Sequence, residues 1–116
     1  IANKSSVGVD VEKIGELNED VLPFVLTEKE LMTIKSLSKI EQTKKFYELW
    51  TMKESIYKMG IFPNLTLESI DTLEVNKKGI KAHSFYIDAY HPVTICWSGK
   101  QTSIKKIVLT RDMIMD

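Results

Sequence analysis

The stretch from Ser38 to Gly60 constrains the fold more than any other part of the sequence. It opens with Ser38-Lys-Ile-Glu41, which has the capping-box form S/T-x-x-E, and Gly60 is suited to end a helix. This pattern predicts one long helix over residues 39–59. At about 100° per residue, its apolar side chains form a stripe roughly 120° wide, suited to packing against the rest of the fold. The stripe contains Phe46, Leu49, Trp50, Ile56 and Tyr57.

The segments before this helix add a strand and a second helix. Residues 7–12, VGVDVE, alternate apolar and polar side chains as a strand does. Thr27-Glu-Lys-Glu30 is another capping box, which predicts a shorter helix over residues 28–37. Between the strand and this helix we expect a loop and a short helical turn interrupted by Pro23.

The part after the long helix is rich in β-forming residues. Following a loop over residues 61–69, Asn76-Lys-Lys-Gly79 predicts a hairpin turn in which Gly79 is free to take a positive φ. The order of strand, helices and then an antiparallel β-meander packed on the long helix predicts an α+β fold. No repeat or internal linker is visible, so we predict a single domain over residues 1–116. The β-rich runs cover residues 70–75, 80–88, 92–98 and 104–110.

Composition argues against several functional classes. The 116 residues are 43% hydrophobic and 28% charged, which is ordinary for a globular protein. The 16 basic and 16 acidic residues give a net charge of zero, which argues against a general nucleic-acid or anionic-membrane binder. No apolar run approaches the about 20 residues of a membrane helix, and no signal-peptide pattern is present. We therefore expect a cytoplasmic protein, with Cys96 as a buried thiol.

Two groups of charged residues require an explanation. In an extended strand Gly8, Asp10 and Glu12 share one face, which places two repelling carboxylates side by side. On the long helix, Lys53 falls inside the apolar stripe, beside Glu54 and Lys58. Either Lys53 extends to the surface while Glu54 and Lys58 form an ordinary i,i+4 pair, or an anion lies near this face.

A divalent cation would explain these charges together. Asp10, Glu12 and Glu54 offer three hard oxygen donors, and Mg²⁺ uses few carboxylates together with water and phosphate oxygens. The lysines would then contact phosphate. A zinc site is poorly supported because the chain has only one cysteine and two histidines, His83 and His91, which we expect to be structural or exposed. No Walker A or GxGxxG loop is present.

The two motifs resemble those of the 4′-phosphopantetheinyl transferase superfamily. That family pairs a G-[IV]-D-[IV]-E strand with a [FW]-x-x-K-E-[SA]-x-x-K helix, and here these are Gly8-Val-Asp-Val-Glu12 and Trp50-Thr-Met-Lys-Glu-Ser-Ile-Tyr-Lys58. The intervening LTEKEL and FYELW are similar to the larger, surfactin-synthetase-activating branch. The resemblance covers residues 7–60 with specific motifs and is thin beyond them.

The resemblance implies transfer of the phosphopantetheine arm of coenzyme A to a serine of an acyl or peptidyl carrier protein. Asp10, Glu12 and Glu54 would hold Mg²⁺ against the pyrophosphate of coenzyme A. Glu54 and Lys58 would be the catalytic residues, with Glu54 helping to deprotonate the serine. Lys53, Lys58 and Asp10 would contact coenzyme A. Gly8 would leave room beside the metal, and Trp50 would support the helix.

Members of the larger branch are about twice this length, with the site between two similar halves, whereas the small branch trimerises. We therefore expect the chain, which begins at Ile1, to be either the C-terminal half of a longer protein or a short protein that self-associates. Under both readings we expect weak or no activity from a monomer. The alternatives are a non-catalytic half-domain that pairs with another half or binds a carrier protein, and a plain structural domain.

Contacts with the carrier protein are predicted on a basic or apolar surface, because carrier proteins are usually acidic around the modified serine. The candidates are the helix that follows Thr27, with Lys29 and Lys35, and the loop Ile61-Phe62-Pro63. An alternative for Phe62 is that it caps the core.

Overall fold

A three-stranded antiparallel sheet and a long helix across one of its faces form the frame of the described part of the protein. The computed structural model describes residues 6–61, 65–72, 74–75 and 79–98. The strands are β1, Ser6–Val11, β2, Lys81–Tyr86, and β3, Pro92–Ser98, in the order β1-β3-β2. The central position of β3 explains why its residues from Pro92 to Cys96 are all buried.

The helices begin where the sequence predicts. After a 3₁₀ turn at Glu19–Val21 come α1, Leu22–Val25, α2, Glu28–Lys35, and α3, Lys39–Lys58. Both hydrogen bonds of the Thr27 capping box are present. The Ser38 hydroxyl accepts from the Glu41 N–H at 3.3 Å and donates to the Glu41 carboxylate at 2.8 Å. Gly60 has a φ of +71° directly after α3, as predicted for its C-terminal end.

Two local predictions need correction. Pro23 does not interrupt a helical turn but lies in the first turn of α1, where a missing N–H costs nothing. The described residues within 70–75 are not in a strand. Ile70 and Val75 pack into the core instead, and the Thr72 N–H bonds to Glu30. The loop over residues 61–69 includes a 3₁₀ turn at Leu67–Ser69.

The two later strands of the predicted meander are confirmed where the structure describes them. β2 and β3 pair in antiparallel fashion, within the predicted runs 80–88 and 92–98. Gly79 has the predicted positive φ, at +78°, but the described residues before it do not form the first strand of the predicted hairpin. Residues 76–78, the run 104–110, Phe62 and Pro63 lie outside the described residues.

The register of the sheet decides what lies beneath α3. Gly8 pairs with Cys96, and Asp10 pairs with Thr94, which also pairs with Ser84 of β2. Directly paired residues share a face, so these side chains form rows across the sheet. This face, with the glycine and the acid, lies under α3. The valine face of β1 is more open, and Val11 is 37% exposed.

Apolar side chains form two clusters that α3 connects. The first lies between α1, α2 and the N-terminal half of α3, and the second lies between the C-terminal half of α3, β3 and the side chains of Ile70, Val75 and Ile80. Leu67 packs against both. In the described part of the chain, no helix has the length and apolar character needed to cross a membrane. The first cluster contains Leu22, Val25, Leu26, Ile34, Phe46 and Leu49, and the second contains Ile56, Met59, Ile70, Val75, Ile80 and Cys96.

Candidate active site

Gly8 brings β1 into backbone contact with α3. A Cβ atom at this position would lie 1.8 Å from the Ser55 carbonyl oxygen and 2.9 Å from the Met59 nitrogen, so only glycine fits. The sequence predicted that Gly8 leaves room for a neighbouring group, and in the structure the group that approaches it is the backbone of α3. Because the two backbones touch here, residues near the C-terminal end of α3 can reach the acids of β1.

Asp10 lies at the centre of the contact between β1 and the C-terminal part of α3, which we call the junction. Its side chain is 3% exposed, and its Oδ1 accepts a hydrogen bond from the Lys58 ammonium at 2.6 Å. The second oxygen, Oδ2, is buried, and no N–H or hydroxyl group of the described residues donates a hydrogen bond to it. A buried carboxylate oxygen without a donor is costly, so this atom is a natural ligand for a cation.

Glu12 and Glu54 lie close enough to Asp10 to feel its charge. Burial, together with a hydrogen bond to the Asp10 carboxyl and repulsion from Asp10 and Glu54, raises the pKa of Glu12 to about 8. Burial and the charge of Asp10 also raise the pKa of Glu54. The structure thus brings together the three acids singled out in the sequence, in a cluster where the charge of Asp10 disfavours the ionisation of Glu12 and Glu54.

We call Asp10, Glu12 and Glu54 the acidic cluster. Lys58 places a positive charge next to it. The hydrogen bond to Asp10, with further attraction from Glu54 and Glu12, raises the pKa of Lys58. Its ammonium is charged at neutral pH, and its side chain is 51% exposed. It can therefore meet an anion that approaches from solvent while it remains next to Asp10.

The carboxylates of the acidic cluster are the type of ligand that Mg²⁺ prefers, although they do not form a complete metal site. Three carboxylates are hard oxygen donors, and the Asp10 Oδ2 has a lone pair to offer. Within the described residues, however, no three side chains of the ligating types converge on one metal position. Mg²⁺ binds through one or two carboxylates and completes its shell with water and phosphate, so the acidic cluster fits this ion.

Lys53 lies elsewhere, which corrects the prediction that it contacts coenzyme A. Its side chain is fully buried, forms an ion pair with Glu30 and donates to the carbonyl oxygens of Val25 at 2.7 Å and Leu67 at 3.2 Å. Burial lowers the pKa of Lys53, and the carboxylate of Glu30 opposes this effect. The anion expected near the apolar stripe is Glu30, and the alternative in which Lys53 extends to the surface is wrong.

The remaining candidates are structural. Trp50 packs against Phe46 and Tyr47, with ring centroids 5.4 and 5.9 Å away, and so supports α3. His91 bonds to Asp88 at 2.8 Å, and His83 stands exposed beside Phe85. Cys96 is fully buried, its Sγ lies 2.9 Å from the Ser55 hydroxyl, and burial raises its pKa to about 11.

The sequence did not single out a cleft near the acidic cluster. It has a volume of about 320 Å³ and lies between α3 and the sheet, with Lys45, Met52, Ser84 and Thr94 among its lining residues. No residue of the acidic cluster lines the cleft, and its lining is linked to the cluster through Thr94, which pairs with Asp10 in the sheet. No short motif marks it, because its walls come from three separate elements.

Comparisons with known proteins identify the family of the chain. A family model of the 4′-phosphopantetheinyl transferase superfamily matches residues 6–110. A 4′-phosphopantetheinyl transferase, gsp, from Aneurinibacillus migulanus is 36% identical over 52 residues. That match covers 45% of this chain and 22% of the relative, so the chain spans only a small part of the length of this curated relative. Since the family model covers most of its length, the chain belongs to the 4′-phosphopantetheinyl transferase superfamily.

Proposed function

We propose that this chain carries the metal and phosphate site of an enzyme that transfers the 4′-phosphopantetheine arm of coenzyme A to a serine of an acyl or peptidyl carrier protein. The observation that carries the proposal is the acidic cluster, in which Asp10 presents a buried oxygen that no N–H or hydroxyl group of the described residues reaches and shares the junction with Lys58. Family membership supports the class of reaction.

Each residue of the junction has a distinct part in this proposal. Asp10, Glu12 and Glu54 would supply the one or two carboxylates that hold Mg²⁺, which supplies charge neutralisation and orientation at the pyrophosphate of coenzyme A. Lys58 would bind a phosphate oxygen as a mobile point charge, because it is half exposed and protonated.

The transfer step needs a proton acceptor at the carrier serine. The serine oxygen forms a bond to the phosphorus nearest the pantetheine, and the bond from that phosphorus to the leaving adenosine 3′,5′-bisphosphate breaks. Glu54 takes the serine proton, directly or through water.

The rest of the coenzyme site is expected from a second half-domain or from another copy of the chain. The nucleotide of coenzyme A needs basic residues that the described part of the junction does not supply beyond Lys58. The carrier protein is proposed to bind near α2, where Lys29 and Lys35 are exposed. The exposed apolar side chains of Phe24 and Met32 add to this surface.

The decisive experiment is mass-resolved modification of an apo carrier protein by coenzyme A and Mg²⁺. We expect the natural polypeptide that carries these residues to add one phosphopantetheine arm, and Asp10→Ala and Glu54→Ala variants to lose both the transfer and Mg²⁺ binding. The chain as a monomer is expected to transfer weakly or not at all. If Mg²⁺ neither binds to the natural polypeptide nor affects the transfer, the alternative of a non-catalytic module is favoured instead.

A further inference from the structure

The buried pair of Lys53 and Glu30 joins five separate parts of the chain. Lys53 belongs to α3 and donates to Val25 at the end of α1 and to Leu67 in the 3₁₀ turn. Glu30 belongs to α2, accepts from the Thr27 N–H at 2.9 Å and accepts from both the N–H and the hydroxyl of Thr72. Every one of these bonds has a direction, so together they fix how α3 lies among its neighbours.

Stability alone is a poor reason for this arrangement. Lys53 is 0% exposed and Glu30 is 3% exposed, so both charges are removed from water. Desolvation of such a pair often outweighs its attraction, and apolar residues of similar volume hold a core together equally well. What an apolar pair lacks is direction, because a hydrophobic contact tolerates rotation and sliding that hydrogen bonds to fixed carbonyls do not.

Three successive residues of α3 face three different sides. Lys53 faces Glu30, Glu54 faces the acids of β1, and Ser55 meets Cys96 at 2.9 Å above Gly8. Neighbouring helix residues are about 100° apart, so the three directions are rigidly linked through the helix backbone. A rotation of α3 by about 20° would move a carboxylate at the helix surface by ~2 Å, which is enough to lose a metal ligand.

We propose that Lys53 and Glu30 are positioning residues that set the rotation of α3 and thereby hold Glu54 against Asp10 and Glu12. This inference rests on the proposed function, because it assigns the pair to the metal site. Under this inference Lys53 does not contact phosphate, as the sequence predicted, but acts on the metal site by positioning its neighbour Glu54.

The test measures Mg²⁺ affinity by calorimetry, and stability by urea unfolding, in the natural polypeptide. Lys53→Met leaves Glu30 buried without its partner, so we expect lower stability and at least tenfold weaker Mg²⁺ binding. The double variant Glu30→Met/Lys53→Met removes both charges. We expect it to recover most of the stability but not the Mg²⁺ affinity, because the directional bonds stay absent.

Ile34→Val is the matched control, since it trims a buried side chain of α2 that belongs to the first apolar cluster. It should lower stability and leave Mg²⁺ affinity within twofold of the unsubstituted protein. Mg²⁺ affinity that recovers fully in the double variant would overturn the inference and leave the proposed function intact. If the unsubstituted protein fails to bind Mg²⁺ just as the Asp10→Ala variant does, the proposed function is overturned and this inference with it.

Discussion

At the scale of single residues, the acidic cluster is an electrostatic conflict that the fold maintains. Asp10 is buried beside Glu12 and Glu54, and one ammonium, that of Lys58, bonds directly to it. Stability would favour fewer acids, so their presence at one junction supports the proposed metal site. Burial, together with the charge of Asp10, raises the pKa values of Glu12 and Glu54.

The pH dependence of stability follows from these pKa values. Glu12 binds its proton more tightly in the folded chain, with a pKa of about 8 against 4.5. Its contribution is therefore fully present below about pH 4.5 and is lost as the pH rises through 8. With a chelator present, we expect the free energy of unfolding to fall by on the order of 1 kcal/mol over this range, since solvent screens the partly exposed carboxyl.

Urea unfolding at several pH values checks this prediction. Glu12→Gln should flatten the profile, and added Mg²⁺ should raise stability most at the alkaline end, where the cation competes with fewer protons. Glu41→Gln, at the exposed cap of α3, is the control and should keep the slope. A rise in stability with pH in the unsubstituted protein would contradict the assignment.

At the scale of elements, the junction depends on how closely β1 and α3 approach. Gly8 has no side chain, so the backbone of β1 rests on the Ser55 carbonyl, and Asp10 reaches Lys58. Cys96, the partner of Gly8 in the sheet, bonds to Ser55 from the neighbouring strand. One glycine thus determines whether strand and helix share a site.

Gly8→Ala is expected to be severe. Its methyl group would lie 1.8 Å from the Ser55 carbonyl oxygen, so α3 must move away, and overpacking of this kind costs about 1–3 kcal/mol or more. Gly15→Ala is the matched control, because its Cβ would come no closer than 3.5 Å to the Tyr47 hydroxyl. Urea unfolding and Mg²⁺ titration of both variants measure the effect, and equal behaviour of the two would refute this role of Gly8.

At the scale of the whole molecule, α3 connects the two apolar clusters. Phe46 and Leu49 belong to the first, and Ile56 and Met59 belong to the second. A continuous 20-residue helix cannot lose one half of its packing without weakening the other. We therefore expect the described part of the chain to unfold as one unit.

The two tryptophans allow this expectation to be tested. Trp50 packs against the first cluster, and Trp97 lies in β3. In Trp50→Phe and Trp97→Phe variants the remaining tryptophan reports on one region, and we expect each fluorescence transition in urea to coincide with the loss of helical circular dichroism. Midpoints of fluorescence and circular dichroism that differ within one variant would show two separately folding parts.

Local signals in the sequence determined the helices, two of the strands after α3 and the members of the acidic cluster. Capping at Thr27 and Ser38, the glycine after α3 and the alternation of VGVDVE depend on nearest neighbours, so they can be read without a structure. The charged residues of the two motifs could be selected because their positions conflict with ordinary packing.

Only the tertiary structure decided how these residues are used. The partner of Lys53 is Glu30, which is 23 positions away and belongs to a capping box that gives no sign of this contact. The face of β1 that carries Asp10 packs under α3, while its valine face is more open, and residues 70–72 leave the predicted strand to serve the core and Glu30. Long-range packing and the satisfaction of buried charges settle such choices, and neither is encoded in any short stretch of sequence.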